Sequence, residues 1–329
     1  MVDVKKIMVV GCGGIGSRHL EALCKIMIPI KLFAVDPNEK SLENAKKITD
    51  KVISNNNIKS ISFLKEFPKD IDEIDLCILA TSSDVRLKVL KQIISIYPIK
   101  NMILEKVLFQ SIKELDEAKN IIVGGKIKCW VNCFRRDEEC WKKMREYFLG
   151  NSNMKLYYGK SDWSMCCNSI HIIDLVVWLF DGKIKHMDIS NLNNIIYESK
   201  RQGFIELTGI LSGELENGGT FVLESTYGIP EKKVEFEISS DTRRLKVNEH
   251  QEKAILYRKE NNWTAEEYEF HIPFQSEKTQ KIVEKILECG ECDLTTLNES
   301  VEIHKPLLDS FITHLNKISD SKYTYCPIT

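Results

Sequence analysis

The stretch Ile7-Met8-Val9-Val10-Gly11-Cys12-Gly13-Gly14-Ile15-Gly16 decides how the first part of this chain folds. An apolar run that ends directly in G-x-G-x-x-G reads as a buried parallel strand turning into a helix. Each glycine has a separate task. Gly11 permits the tight turn, Gly13 lets the backbone approach a pyrophosphate, and Gly16 lets the helix pack closely on the strand. Gly14 and Ile15 complete the loop at the helix N-terminus, where free N–H groups and a partial positive charge favour phosphate.

Working outward, the run Ile30 to Val35 reads as the next strand and ends before Asp36, 25 residues after Gly11. A carboxylate there can accept hydrogen bonds from the adenosine ribose hydroxyls. It favours NAD over NADP, whose 2′-phosphate it would repel, and Pro37 and Asn38 bring no arginine; a plain surface carboxylate is the other reading. Asp75 to Ala80, Met102 to Leu104 and Lys128 to Asn132 read as further strands. Between strands the apolar spacing is three and four, and Leu20, Leu23, Cys24 and Met27 predict one stripe on the helix after the loop. Strand and helix in alternation predict an α/β Rossmann domain with a parallel, doubly wound sheet.

After the strand at 128 the texture changes. Helical patterns at Asp137 to Phe148 and Ser169 to Phe180 precede alternating runs at Phe204 to Glu214, Thr220 to Tyr227, Lys233 to Ser239 and Leu245 to Tyr257. Period-two runs separated by turns such as Glu216-Asn217-Gly218-Gly219 predict a large open, mostly antiparallel sheet with one covered face. Ser276 to Ile318 is again helical, interrupted near Cys289 to Thr296. The expected division is 1–128 for dinucleotide binding and 129–329 for an α+β domain that binds substrate and oligomerises.

Composition narrows the partners. The 46 basic and 48 acidic residues are scattered and leave a net charge of -2, so no basic stripe for nucleic acid is expected. No stretch reaches the roughly 18 apolar residues of a membrane span. Eleven cysteines without a secretory signal predict reduced thiols in the cytoplasm. Cys289-Gly290-Glu291-Cys292 is a C-x-x-C without the further ligands that a structural zinc needs, and no metal is expected.

Four landmarks run nearly the whole length of the chain. They are the loop continued as Ser17-Arg18-His19-Leu20, then Asp75-Leu76-Cys77-Ile78-Leu79-Ala80-Thr81, then Leu104-Glu105-Lys106-Val107, then Ser169-Ile170-His171-Ile172-Ile173-Asp174-Leu175 followed by Trp178-Leu179-Phe180-Asp181-Gly182. In this order they resemble the glucose-fructose oxidoreductase, inositol dehydrogenase and MocA (Gfo/Idh/MocA) family. The resemblance implies that Thr81 borders the nicotinamide ribose, that Glu105 and Lys106 carry the family's Glu-Lys-Pro motif beside the cofactor, and that Lys106 hydrogen-bonds the reacting hydroxyl while His171 exchanges its proton. The chemistry asks for the same division: oxidising an alcohol releases a hydride and a proton, and a group with a pKa near neutrality suits the proton.

The sequence departs from the family in three places. Val107 stands where a proline is usual, Cys167 where an aspartate often precedes the histidine by one turn, and Ser82-Ser83-Asp84-Val85-Arg86 where a histidine commonly follows Thr81. The expected function is an NAD-dependent interconversion of secondary alcohol and ketone on a sugar, cyclitol or sugar derivative, a nucleotide-linked amino sugar for surface polysaccharide among them. The alternative is a dinucleotide-binding sensor or scaffold with a decayed site. Trp163 and Asn168 are candidate sugar contacts, with core packing the other reading for the tryptophan. Asp174 could bind substrate, orient His171 or serve the helix. Arg135 and Arg136 could meet an anionic substrate group or form salt bridges. An uncovered sheet face predicts a homo-oligomer, a dimer or tetramer.

Overall fold

The computed structural model describes residues 4–52, 55–228 and 235–329. The chain first alternates strand and helix: β1 (Lys5–Val10), α1 (Gly14–Leu23), β2 (Ile30–Val35), α2 (Glu39–Thr49), β3 (Ile58–Leu64), β4 (Ile74–Leu79), α3 (Ser83–Ile96), β5 (Ile99–Leu104), α4 (Ile112–Gly124) and β6 (Lys128–Val131). Ile7, Met8 and Val9 are wholly buried, as are Leu76 to Leu79, because the central parallel strands need apolar cover on both faces. The helices carry their own boundary signals. Asn38 caps α2 by accepting from the Ser41 N–H, with Glu39 in the first turn and Lys46 and Lys47 in the last, as the helix dipole favours.

A one-turn 3-10 helix at Phe134–Asp137 leads into α5 (Glu139–Phe148), β7 (Lys155–Ser161) and α6 (Met165–Leu179). The strands that follow are β8 (Ile184–Leu192), β9 (Tyr197–Glu198), β10 (Ile205–Glu206), β11 (Gly209–Leu215), β12 (Thr220–Thr226), β13 (Glu235–Ser239), β14 (Arg243–Asn248), β15 (Lys253–Arg258) and β16 (Glu266–Glu269). The chain ends with α7 (Gln275–Cys289), β17 (Thr295–Thr296) and α8 (Leu297–Ile318). Glu277 reaches back to the Phe274 N–H at 2.8 Å to start α7, and Gly290 in the left-handed region stops it.

The chain forms two compact units. The first holds the residues up to Phe109, Lys113–Asn132 and Pro273–Asn298, so α7 and β17 return to it. Their return corrects a division into 1–128 and 129–329, which leaves that segment in the second domain. Its sheet runs β17-β6-β5-β4-β1-β2-β3, parallel throughout except for β17. The second unit holds Gln110–Ile112, Cys133–Ile272 and Glu299–Thr329. Its eight-stranded sheet runs β16-β15-β14-β13-β7-β12-β11-β8, antiparallel except where β12 lies parallel to β7. The fold class is thus the expected one, an α/β Rossmann unit with an α+β unit built on an open, mostly antiparallel sheet.

Local expectations fail where polarity or a turn interrupts the pattern. Met27 lies beyond α1 and is 70% exposed, so the apolar stripe ends at Cys24 and Ile26 takes the buried position. The run Leu245 to Tyr257 is a hairpin of β14 and β15, because the Asn248 side chain accepts from the Gln251 N–H and turns the chain. The run Phe204 to Glu214 breaks between β10 and β11. Lys233 and Val234, assigned to a strand from the sequence, lie outside the described residues.

Candidate functional site

The glycine turn of the first unit separates packing from binding. Gly11 has φ +89°, and a Cβ on it would lie 2.8 Å from the Thr81 nitrogen; one on Gly16 would lie 1.7 Å from the Gly11 oxygen. At Gly13 and Gly14 a Cβ would meet nothing within 4 Å. Gly11 and Gly16 therefore close the strand-helix joint, while Gly13 and Gly14 leave bare backbone facing open space. Gly13 is the N-cap of α1, and Ile15 sits half-buried in its first turn, so the turn offers N–H donors to an anion.

Asp36 is fixed beside that turn. Its Oδ2 accepts from the Cys12 N–H at 2.7 Å and its Oδ1 from the Asn38 N–H at 2.8 Å. Burial, and then the Asp36 charge, push the Cys12 thiol up to about 12. Gly11, Gly13, Asp36, Ala80, Thr81 and Ser82 line one cleft of about 910 Å³. The Thr81 hydroxyl in its wall is buried and has no hydrogen-bond partner among the described residues. An unfilled hydroxyl, open backbone at Gly13 and a fixed carboxylate suit a dinucleotide, with Gly13 and α1 against its phosphates and Asp36 against a ribose. Lys65, Lys69 and Lys88 line the same cleft; no motif marks them, and the fold brings the 65–69 loop and α3 together there.

Glu105 turns inward, so its expected place against the cofactor is not what its hydrogen bonds describe. It is 5% exposed and its Oε1 accepts from Asn132 and from His19 Nε2, the latter at 2.9 Å. Burial would raise its pKa, but the His19 hydrogen bond and charge, Asn132 and the Lys106 charge outweigh burial and hold the carboxyl below its ordinary range. The ring then closes: His19 Nδ1 meets Thr279 Oγ1 at 2.8 Å, Gln275 Nε2 donates to Thr279 at 2.8 Å, and Asn132 donates to Gln275 at 3.0 Å. Lys106 follows Glu105 directly and is half-buried, and the Lys106–Val107 peptide is cis. Val107 occupies the proline position of the motif without a proline.

In the second unit His171 lies half-buried on α6, its ring tilted against Phe134 with centroids 5.0 Å apart. Three residues later on the same helix, Asp174 is wholly buried and receives both Arg136 Nε and Nη2 at 2.8 Å. The 3-10 turn thus docks on one face of α6 through Phe134 and Arg136. Burial opposes the Arg136 charge, yet Asp174 and then Glu299 hold its pKa above the ordinary value. Three expected substrate contacts are corrected here. Asp174 is spent on an ion pair; Arg135 is 8% exposed and pairs with Glu249 among Phe134, Trp141 and Phe236. Trp163 is buried, donates to the Glu224 carbonyl at 3.0 Å and packs edge-on against Tyr158, so it offers no open face to a sugar. Asn168 is half-buried and its amide donates to the Trp163 carbonyl at 2.7 Å. Among the described residues no group of three His, Cys, Asp or Glu could hold a metal ion, and no helix is long and apolar enough to cross a membrane.

Comparison with known proteins agrees with this geometry. Residues 7–105 match the TrkA-N domain. UDP-N-acetylglucosamine 3-dehydrogenase GnnA from Acidithiobacillus ferrooxidans aligns with TM-score 0.68 over 94% of this chain and 96% of its own, at 13% identity. An oxidoreductase from Agrobacterium radiobacter, solved with NAD+, L-tartaric acid and magnesium, gives 0.70 over 96% and 97%, at 11% identity. The same fold is found in a dehydrogenase from Chromobacterium violaceum, with TM-score 0.69 over 94% of each chain at 14% identity. It is shared by a super-repressor mutant of Gal80p from Saccharomyces cerevisiae, with TM-score 0.72 over 96% and 97% at 12% identity. No curated protein matches the chain in sequence.

Proposed function

We propose that this chain is an NAD-dependent oxidoreductase that interconverts a secondary alcohol and a ketone on a sugar, cyclitol or sugar derivative, a nucleotide-linked amino sugar among them. The observation that carries the reading is the glycine turn: Gly11 and Gly16 are packed shut while Gly13 stands open in the cleft that Asp36 and the unpartnered Thr81 hydroxyl share. When bound, the nicotinamide supplies the hydride chemistry. Lys106 then donates a hydrogen bond to the substrate oxygen, and His171 holds or accepts its proton. The fixed Asp36 carboxylate favours NAD; Lys65, Lys69 and Lys88 in the same cleft favour NADP, and we weigh the carboxylate more because its two backbone donors hold it beside the turn. The protein is proposed to work in the cytoplasm as a homo-oligomer.

The test is nicotinamide absorbance at 340 nm with a panel of polyols, sugars and nucleotide sugars, using NAD and NADP side by side. Wild type should turn over one substrate class, and Lys106→Ala and His171→Ala should each lose about 100-fold or more. A second reading, a dinucleotide-binding regulator without turnover, is favoured by the Gal80p likeness and by Cys167 at the position where the family's dehydrogenases carry an aspartate. Cofactor binding with silence across the panel would select it.

A further inference from the structure

The segment Lys106 to Leu108 has left the β5 ladder, so its carbonyls need partners from elsewhere. Arg86 supplies them for Val107 and Leu108. Its side chain starts on α3, is 1% exposed and reaches the end of two neighbouring strands at once. One terminal nitrogen, Nη1, donates to the Leu108 carbonyl at 2.7 Å and also to the Val107 carbonyl; the other, Nη2, donates to the Thr81 carbonyl. Thr81 follows β4, and β4 and β5 are paired through Leu79 and Leu104. The last backbone bond across that pair is Glu105 N–H to the Leu79 carbonyl at 3.1 Å, after which the two chains diverge.

We infer that Arg86 is a positioning residue, a planar fork that locks the Lys106 turn to the Thr81 wall of the cleft. The inference rests on the reading of Lys106 given above. A guanidinium holds several acceptors in one fixed plane, and a lysine ammonium at the same place cannot reproduce that pattern. Lys106 is thereby anchored on both sides. Glu105 before it is tied to His19 and Asn132, and Val107 and Leu108 after it are tied to Arg86. The same guanidinium takes the carbonyl of Thr81, whose hydroxyl lines the cleft, so the cleft wall and the lysine are set by one group. The position lies in the segment after Thr81 that departs from the family, where a histidine is common and this chain has Ser82-Ser83-Asp84-Val85-Arg86.

The experiment compares wild type with Arg86→Lys, with and without NADH. Lys106 reactivity is read by trace acetylation with acetic anhydride and peptide mass spectrometry, NADH affinity by fluorescence titration, and turnover on whichever panel substrate is active. The expected result is a change in Lys106 acetylation of about threefold or more, a fall in kcat of about 10- to 100-fold and a rise in the NADH Kd of about threefold or more, because the same guanidinium holds the Thr81 wall. Unchanged Lys106 acetylation in a folded Arg86→Lys chain would overturn the inference. So would failure of that conservative variant to fold, which would assign Arg86 to the core alone. If no substrate is turned over by wild type, the enzymatic reading fails, and the acetylation result still decides whether Arg86 positions Lys106.

Discussion

Glu105 Oε1 and His19 Nε2 lie 2.9 Å apart beneath the glycine loop, both almost wholly buried. The contact joins α1 to the end of β5, and Thr279, Gln275 and Asn132 complete a closed ring that brings in α7. Glu105 accepts from Asn132 and meets His19 Nε2, the other Asn132 amide hydrogen goes to Gln275, and the Gln275 amide in turn donates to Thr279. A segment far away in the sequence is thereby fastened to the loop that holds Lys106.

Glu105→Gln tests the ring. The folded carboxyl is held below its ordinary pKa, so its contribution is fully present above about pH 4.3 and is lost as pH falls toward the lower folded value. The variant should be less stable than wild type by about 1–3 kcal/mol at pH 7, and that gap should close below about pH 4. Urea denaturation at a series of pH values measures it. A gap that stays constant from neutral to acid pH would show that the Glu105 charge is not what stabilises the ring.

The glycines give a paired prediction. Gly13→Ala adds a methyl where nothing lies within 4 Å, at a backbone φ of -65° that alanine accepts, so the chain should fold with its stability changed by less than about 1 kcal/mol. Dinucleotide affinity should fall about tenfold or more, since the methyl occupies the space of close backbone approach. Gly16→Ala places its methyl 1.7 Å from the Gly11 oxygen and should destabilise the fold itself. Melting temperature and NADH titration on both variants separate the two tasks; equal NADH affinity for Gly13→Ala and wild type would remove the turn from the binding site.

The parts legible in the sequence were those fixed by local pattern. The strand from Ile7 and the run from Leu76 are buried on both faces and read as apolar runs, the strand from Ile30 does so despite its exposed Lys31, and the glycine turn is local by nature. β3 was missed because it is an edge strand in which Lys59, Ser60 and Ser62 interrupt the apolar residues, which leaves no continuous run. The ring around Glu105 was illegible because its members are spread from His19 to Thr279, although His19 stood within the quoted loop. Arg135, Trp163 and Asp174 show the opposite error. Their chemistry suits a sugar site, but only the fold reveals that Glu249, the Glu224 carbonyl and Arg136 already occupy them.

The Arg136–Asp174 pair supplies the last prediction. Both guanidinium contacts are 2.8 Å and both residues are buried, so removing one charge strands the other in a poorly solvated place. Asp174→Asn should cost about 3–5 kcal/mol, softened to the extent that Glu299 takes over at the exposed end of Arg136. Because the same 3-10 turn carries Phe134 against His171, loosening Arg136 should also disturb the histidine. Urea denaturation reads the first effect and the His171 imidazole signals in a proton–nitrogen NMR spectrum the second. If Asp174→Asn lowers stability while the His171 signals keep their wild-type positions, the turn holds α6 in place without orienting the histidine; if both move, Asp174 orients His171 through Arg136 and Phe134, as a positioning residue one turn away.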